Sequence, residues 1–208
     1  MLRLFTFSFL FLFLSLQSFS QLLPSMVGAV TKKKSTNTQS DAFDASSKGQ
    51  YIVITNNNVT VSSSYPTPNH TWNTVYGNEG ITSGIKEWEI TINSFYNSGG
   101  NSWELIMGVA YERTQGNYVF NSGCRGFGYI AENGKKNTTT GSCGSQSNYG
   151  DTYGAGDVIK IQLNMNNGQL TFFKNGTSQG VSHTVDTEKT WYLGIGIGNA
   201  GTSVSITG

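Results

Sequence analysis

The stretch Val158-Ile159-Lys160-Ile161-Gln162-Leu163-Asn164-Met165-Asn166-Asn167-Gly168-Gln169-Leu170-Thr171-Phe172 decides the fold. Ile159, Ile161, Leu163 and Met165 alternate with other residues at the period of a half-buried strand. Asn167-Gly168 is then a strong hairpin signal, because both residue types accept the positive φ of a tight turn. As a two-residue turn it sets Met165 opposite Leu170 and Leu163 opposite Phe172. Both pairs are apolar and share one face, so turn and pattern agree.

The same period runs outward in both directions. From Ile85 to Ile92, Trp88, Ile90 and Ile92 take one face and Glu87, Glu89 and Thr91 the other. Trp103, Leu105, Met107, Val109 and Tyr111 repeat it, as do Trp191, Leu193, Ile195 and Ile197. Tyr51-Ile-Val-Ile-Thr, the turn Asn56-Asn57-Asn58 and Val59-Thr-Val-Ser read as a further hairpin. No stretch of this region carries a long amphipathic helix period. The expectation is all-β: an antiparallel two-sheet β-sandwich over residues 49–208.

Composition narrows the function. A chain of 208 residues suits one domain plus tails. Thirteen Lys and Arg against twelve Asp and Glu leave a net charge of +1. That is neither the basic footprint of a nucleic-acid binder nor an acidic disordered tail. Two Cys and two His make a Cys/His metal site unexpected, and no cofactor is implied. Met1-Leu-Arg, the apolar run Leu4–Leu16 and the small pair Ser18 and Ser20 read as a signal peptide over residues 1–20. A signal-anchor is the alternative, since Leu4–Val30 carries no charge and Lys32-Lys33-Lys34 would compete over orientation. Residues 21–48 read as a disordered polar linker. The chain is expected to be secreted or membrane-tethered, with a cytoplasmic location as the alternative.

The ordered pieces Gly84-Ile-Lys-Glu-Trp-Glu-Ile-Thr-Ile, Ile106-Met-Gly-Val-Ala, Phe127-Gly-Tyr-Ile and Tyr149-Gly-Asp-Thr-Tyr-Gly-Ala-Gly-Asp-Val-Ile are followed by Leu170-Thr-Phe-Phe-Lys-Asn-Gly, Gly180 and Tyr192-Leu-Gly-Ile. Together they resemble the SPRY domain family. The resemblance implies a bent, concanavalin-type jelly-roll sandwich. It also implies a non-catalytic module that binds a protein or short peptide through loops at one end. In the family the loop after Ala110 supplies a ligand-contacting aromatic, at about the place of Tyr118. Tyr and Arg dominate binding hot spots, so Tyr118, Phe120, Arg113 and Tyr111 are the candidates. The alternative is that Tyr118 and Phe120 merely pack the loop.

Gly194, Gly196 and Gly198 leave one strand face bare. That face is either the floor of a binding surface, with Asn199 at its edge, or a place of close sheet packing. Glu87 and Glu89 stand about 7 Å apart along a strand. That spacing permits a carboxylate pair, so a secreted carbohydrate-binding or glycan-cleaving sandwich is the alternative function. An outer strand face is the simpler home for them. His70 and His183 lie by no nucleophile elbow and read as structural or surface residues, so no enzyme is expected. A two-residue turn at Asn133-Gly134 would set Cys124 opposite Cys143, within disulfide reach in an oxidising compartment. Gly126, Gly128 and Gly141 invite a bulge that would break that register. Sequons at Asn58, Asn69, Asn137 and Asn175 are what this Asn-, Ser- and Thr-rich composition yields by chance.

Overall fold

Alternating apolar residues and Asn-Gly turns produce strands throughout the computed structural model, which describes residues 41–66, 71–97, 104–113, 119–120, 125–137 and 144–208. The leader-like residues 1–20, Trp103, Tyr118, His70, Asn69, Cys124 and Cys143 lie outside the described residues. The strands are β1 (Ile52–Thr55), β2 (Thr60–Ser63), β3 (Asn73–Tyr76), β4 (Ile85–Ser94), β5 (Leu105–Ala110), β6 (Gly126–Ile130) and β7 (Lys135–Asn137). They continue as β8 (Gln146–Asn148), β9 (Val158–Asn164), β10 (Gln169–Lys174), β11 (Thr177–Thr184), β12 (Tyr192–Ile197) and β13 (Ser203–Ile206). Two antiparallel sheets result, in the orders β1-β2-β13-β4-β9-β10-β11 and β3-β12-β5-β6-β7-β8. Among the described residues there is no helix.

The alternating residues form one buried cluster. Trp88, Ile90, Ile92, Ile159, Ile161, Leu163, Leu170 and Phe172 of the larger sheet meet Leu105, Met107, Val109, Leu193, Ile195 and Ile197 of the smaller. Each such side chain contributes about 1.5–3 kcal/mol when fully buried. Strand β5 goes further, because all six of its residues are buried. Its second face joins a separate cluster of Trp72, Tyr76, Ile106, Ala110, Val119, Phe120 and Ile130.

The turns correct the expected registers. Asn164 pairs with Gln169, and Leu163 with Leu170, so the β9–β10 turn holds four residues, 165–168. Gly168 takes positive φ, and Asn167 Oδ1 accepts the Gln169 N–H at 3.1 Å. The β6–β7 turn is built the same way. Tyr129 pairs with Lys136, Gly134 takes positive φ, and Asn133 Oδ1 accepts the Lys135 N–H at 3.0 Å. Both registers move by two residues, which keeps every side chain on its expected face. A two-residue Asn-Gly turn does occur, at Asn175-Gly176 between Lys174 and Thr177, with φ of 49° and 82°.

The domain also begins ahead of the expected boundary at residue 49. The packed unit is Ser40–Gly208. Phe43 is 1% exposed and bridges Gly77, and the Asp44 N–H donates to Tyr76 O at 2.8 Å. One buried aromatic and a backbone bridge outweigh the polarity of the residues around them.

Candidate functional site

Strands β5 and β12 pair with Tyr192 opposite Ala110 and Ile197 opposite Leu105. That pairing gathers several side chains at the end of the sandwich where β5 stops. Tyr111 stands edge-on to Trp191, ring centroids 5.4 Å apart. Lys189 Nζ lies 3.8 Å from the Tyr111 centroid. The Arg113 guanidinium covers the Tyr192 ring at 4.4 Å, and its Nη1 donates to Asp44 Oδ2 at 2.6 Å. Arg125 pairs with Glu112 at 3.0 Å, and its carbonyl accepts the Tyr111 N–H at 3.0 Å. Hydrogen bonds from Ser46 hold the Asp44 carboxyl below its usual pKa, with further help from Ser47 and Arg113. Each exposed cation–ring contact is worth about 0.5–1 kcal/mol. These contacts fix the half-exposed rings of Tyr111 and Tyr192 beside charged donors, the surface character of binding hot spots.

Two expected site residues fall elsewhere. Phe120 is fully buried. Gly194 and Gly128 both pair with Gly108, so three glycines form a row across β12, β5 and β6. A Cβ at Gly126, Gly128 or Gly194 would come within 3.0–3.1 Å of the Phe120 ring. The bare face is therefore filled by the chain's own Phe120, which is an anchor and not a surface contact. Asn199 is also buried, and its Nδ2 donates to Glu104 Oε2 at the far end of β5. A six-residue strand separates it from Tyr111 by roughly 20 Å, so it does not edge this surface. The antiparallel course of β12 against β5 carries it there.

At that far end Glu132 Oε1 accepts the N–H groups of Glu104 and Leu105. Burial raises the Glu132 pKa to about 8. A cavity of about 320 Å³ adjoins it, lined by Phe95, Tyr153, Asp157 and Lys174 among others. Glu87 points to solvent from β4, accepting from Gln162 Nε2 at 2.6 Å and pairing with Lys160 at 3.3 Å. The Gln162 bond is the largest cause that lowers its pKa. Among the described residues no three His, Cys, Asp or Glu are placed to hold a metal ion.

Sequence reasoning missed Lys189 and Tyr192, because their place beside Tyr111 and Arg113 follows from β5–β12 pairing. It also missed Asn137. Its buried side chain accepts the Gly128 N–H at 2.7 Å and donates to Phe120 O and Gly126 O, both at 2.8 Å. In sequence Asn137 had shown only as part of a sequon. Of the described sequon residues, Asn58 and Asn175 are exposed. His183 is structural, as expected: it is buried, and its Nε2–H donates to Asn137 O at 2.7 Å.

A family model for the SPRY domain matches residues 86–208. The SPRY domain of human HERC1 is similar in structure, with 20% identity and a TM-score of 0.64, over 79% of this chain and 96% of that one. A human SPRY domain is similar at 15% identity and a TM-score of 0.57, over 76% and 94%. The TRIM65 PSpry domain is similar at 15% and 0.56, over 81% and 92%. A comparison with curated proteins gave no match.

Proposed function

The chain belongs to the SPRY domain family, generally non-catalytic protein-interaction modules, and we propose that it binds a protein or short peptide through the Tyr111 end of its sandwich. The observation that carries this reading is the pairing of Lys189 with Tyr111 and of Arg113 with Tyr192 at one exposed end. A short extended segment lies across the two rings, and Arg113 donates to its carbonyl or carboxylate oxygens. Asp44 holds the guanidinium in place beforehand, which reduces the ordering entropy lost on binding. Tyr118, beyond the described residues, stays a candidate contact in the same loop. The comparisons lend no support to the glycan-cleaving alternative.

The test is selection of a random-peptide library on the immobilised chain, followed by Kd measurement. Tyr111→Ala is expected to weaken the selected peptides at least about tenfold, or about 1.4 kcal/mol. An unchanged Kd in both Tyr111→Ala and Tyr118→Ala overturns the site. Export or membrane tethering belongs to the same proposal, supported by the sequence of residues 1–20. Intact mass of protein made in eukaryotic cells tests it. A chain starting at Gln21 and gaining two hydrogens on reduction supports export and a Cys124–Cys143 bridge. A chain retaining Met1 with free thiols overturns the cleaved signal and leaves the domain tethered or cytoplasmic.

A further inference from the structure

We propose that Asn58 is a site of N-glycosylation, taking an oligosaccharide on its side-chain nitrogen, and that Asn137 and Asn175 stay unmodified in the folded chain. The inference rests on the reading that the chain is exported. Asn-x-Ser/Thr is the acceptor pattern, and the sequence offers it at Asn58, Asn69, Asn137 and Asn175 with nothing to rank them. Asn69 lies outside the described residues. The other three differ in what the fold asks of the amide. At Asn58 the fold uses the main chain. Asn56, Asn57 and Asn58 take φ of 52°, 54° and 66°, a conformation that asparagine tolerates. The Asn58 carbonyl accepts the Phe43 N–H at 2.7 Å, and the Val59 N–H donates to Asn56 O at 3.2 Å. The side chain is exposed, and among the described residues its amide has no hydrogen-bond partner. A sugar on Nδ2 therefore displaces no protein contact.

The other two amides are committed. Asn175 is exposed, but its Oδ1 accepts the Val158 N–H at 2.8 Å and its Nδ2 donates to Asp157 Oδ1 at 2.7 Å. A sugar on that nitrogen stands against the Asp157 carboxylate, which also accepts the Gly154 N–H at 2.9 Å and pairs with Lys174 at 3.6 Å. Asn137 is 1% exposed, and both its amide hydrogens are used, on Phe120 O and Gly126 O. Modification replaces one of those hydrogens and places a polar sugar where the chain is packed, so a chain modified there does not reach this structure. Transfer forms a bond from Asn58 Nδ2 to C1 of an oligosaccharide carried on a polyprenyl pyrophosphate. The bond from C1 to the pyrophosphate oxygen breaks, the pyrophosphate leaves on its lipid, and Nδ2 gives up a proton. The Thr60 hydroxyl completes the acceptor pattern. In the folded domain it accepts from Asn56 Nδ2 at 3.1 Å and lies 2.8 Å from Ser205 Oγ. Ser205 belongs to β13, the last strand, so transfer precedes the docking of β13. The finished fold then sorts the modified chains: it accepts a glycan at Asn58 and rejects one at Asn137.

The test uses the full chain made in eukaryotic cells. A glycan amidase converts each glycan-bearing Asn to Asp, and peptide mass spectrometry reads the result position by position. Asp is expected at position 58, and Asn at positions 137 and 175. Asn58→Gly, which suits the positive φ, is expected to lose the glycan. So is Thr60→Val, which leaves Asn58 in place, whereas Thr60→Ser is expected to keep it. An exported chain starting at Gln21 with Asn retained at position 58 overturns the proposal and leaves export standing. A folded chain carrying a glycan at Asn137, or more at Asn175 than at Asn58, also overturns it. A chain that retains Met1 and carries no glycan overturns both the proposal and the cleaved signal. A chain that retains Met1 with a glycan at Asn58 supports the proposal, with the domain tethered on the secretory side of a membrane.

Discussion

The outer face of the smaller sheet carries Gly108, Gly126, Gly128, Gly194 and Gly196, and the chain covers it with Phe120, Val119 and Trp72. The outer face of the larger sheet carries Thr60, Glu87, Thr91, Asn93, Gln162 and Ser205, and it stays in contact with water. Its side chains bond to one another, Thr60 to Ser205 at 2.8 Å and Asn93 to Ser205 at 2.8 Å. Such exposed contacts exchange freely with water and add little stability. The glycine face is different. Without side chains it leaves space that water fills poorly, so a buried ring there has a large effect. The difference teaches where the proposed binding end gets its support: Phe120, in the segment after β5, is anchored on the covered face.

The largest expected effect is Phe120→Ala, a loss of about 4 kcal/mol from an unfilled buried site, read by urea unfolding. A loss below 1 kcal/mol would show that the ring is not an anchor. Next is Gly108→Ala, since its Cβ would lie 1.9 Å from the Phe127 carbonyl oxygen. About 3 kcal/mol is expected from the backbone shift, and a wild-type midpoint would show that the glycine row is dispensable. Acid titration gives a comparable or smaller loss. The folded pKa of His183 lies below its unfolded value of about 6.5, so the unfolded chain takes the proton first. Stability is therefore lost as the pH falls from about 6.5 to 4, by up to about 3 kcal/mol. His183→Gln should flatten that part of the curve. Smallest is Glu87→Gln on the open face, within about 0.5 kcal/mol despite its Lys160 and Gln162 partners. A loss above 1 kcal/mol there would break the contrast between the two faces.

Much of the fold was legible because one-sided burial writes a period of two into a strand. Trp88, Ile90 and Ile92 show it, and so do Ile159, Ile161 and Leu163. Strand β5 shows its limit. Ile106 and Ala110 lie on a face the alternation assigned to solvent, and they are buried because residues distant in sequence cover them. Half of the candidate site was legible as well. Tyr111 and Arg113 were candidates from residue type and from the loop that the family resemblance marks, whereas Lys189 and Tyr192 carry no local signal that places them beside those two.

The sequence by itself determined the strand faces, the all-β architecture and the family, because each depends on local alternation and on short ordered motifs. The tertiary structure alone decided which residues stand together. The same dipeptide makes a four-residue turn at Asn167-Gly168 and a two-residue turn at Asn175-Gly176. In the first, Met165 is drawn into the core and its N–H is taken by Gly84 O at 2.8 Å. It alone decided that the glycine face would be filled by Phe120, that Asn199 would lie a strand's length from Tyr111, and that Asn137 would meet His183. Those contacts join residues distant in the chain, and their energies depend on space and hydrogen-bond partners that no local pattern records.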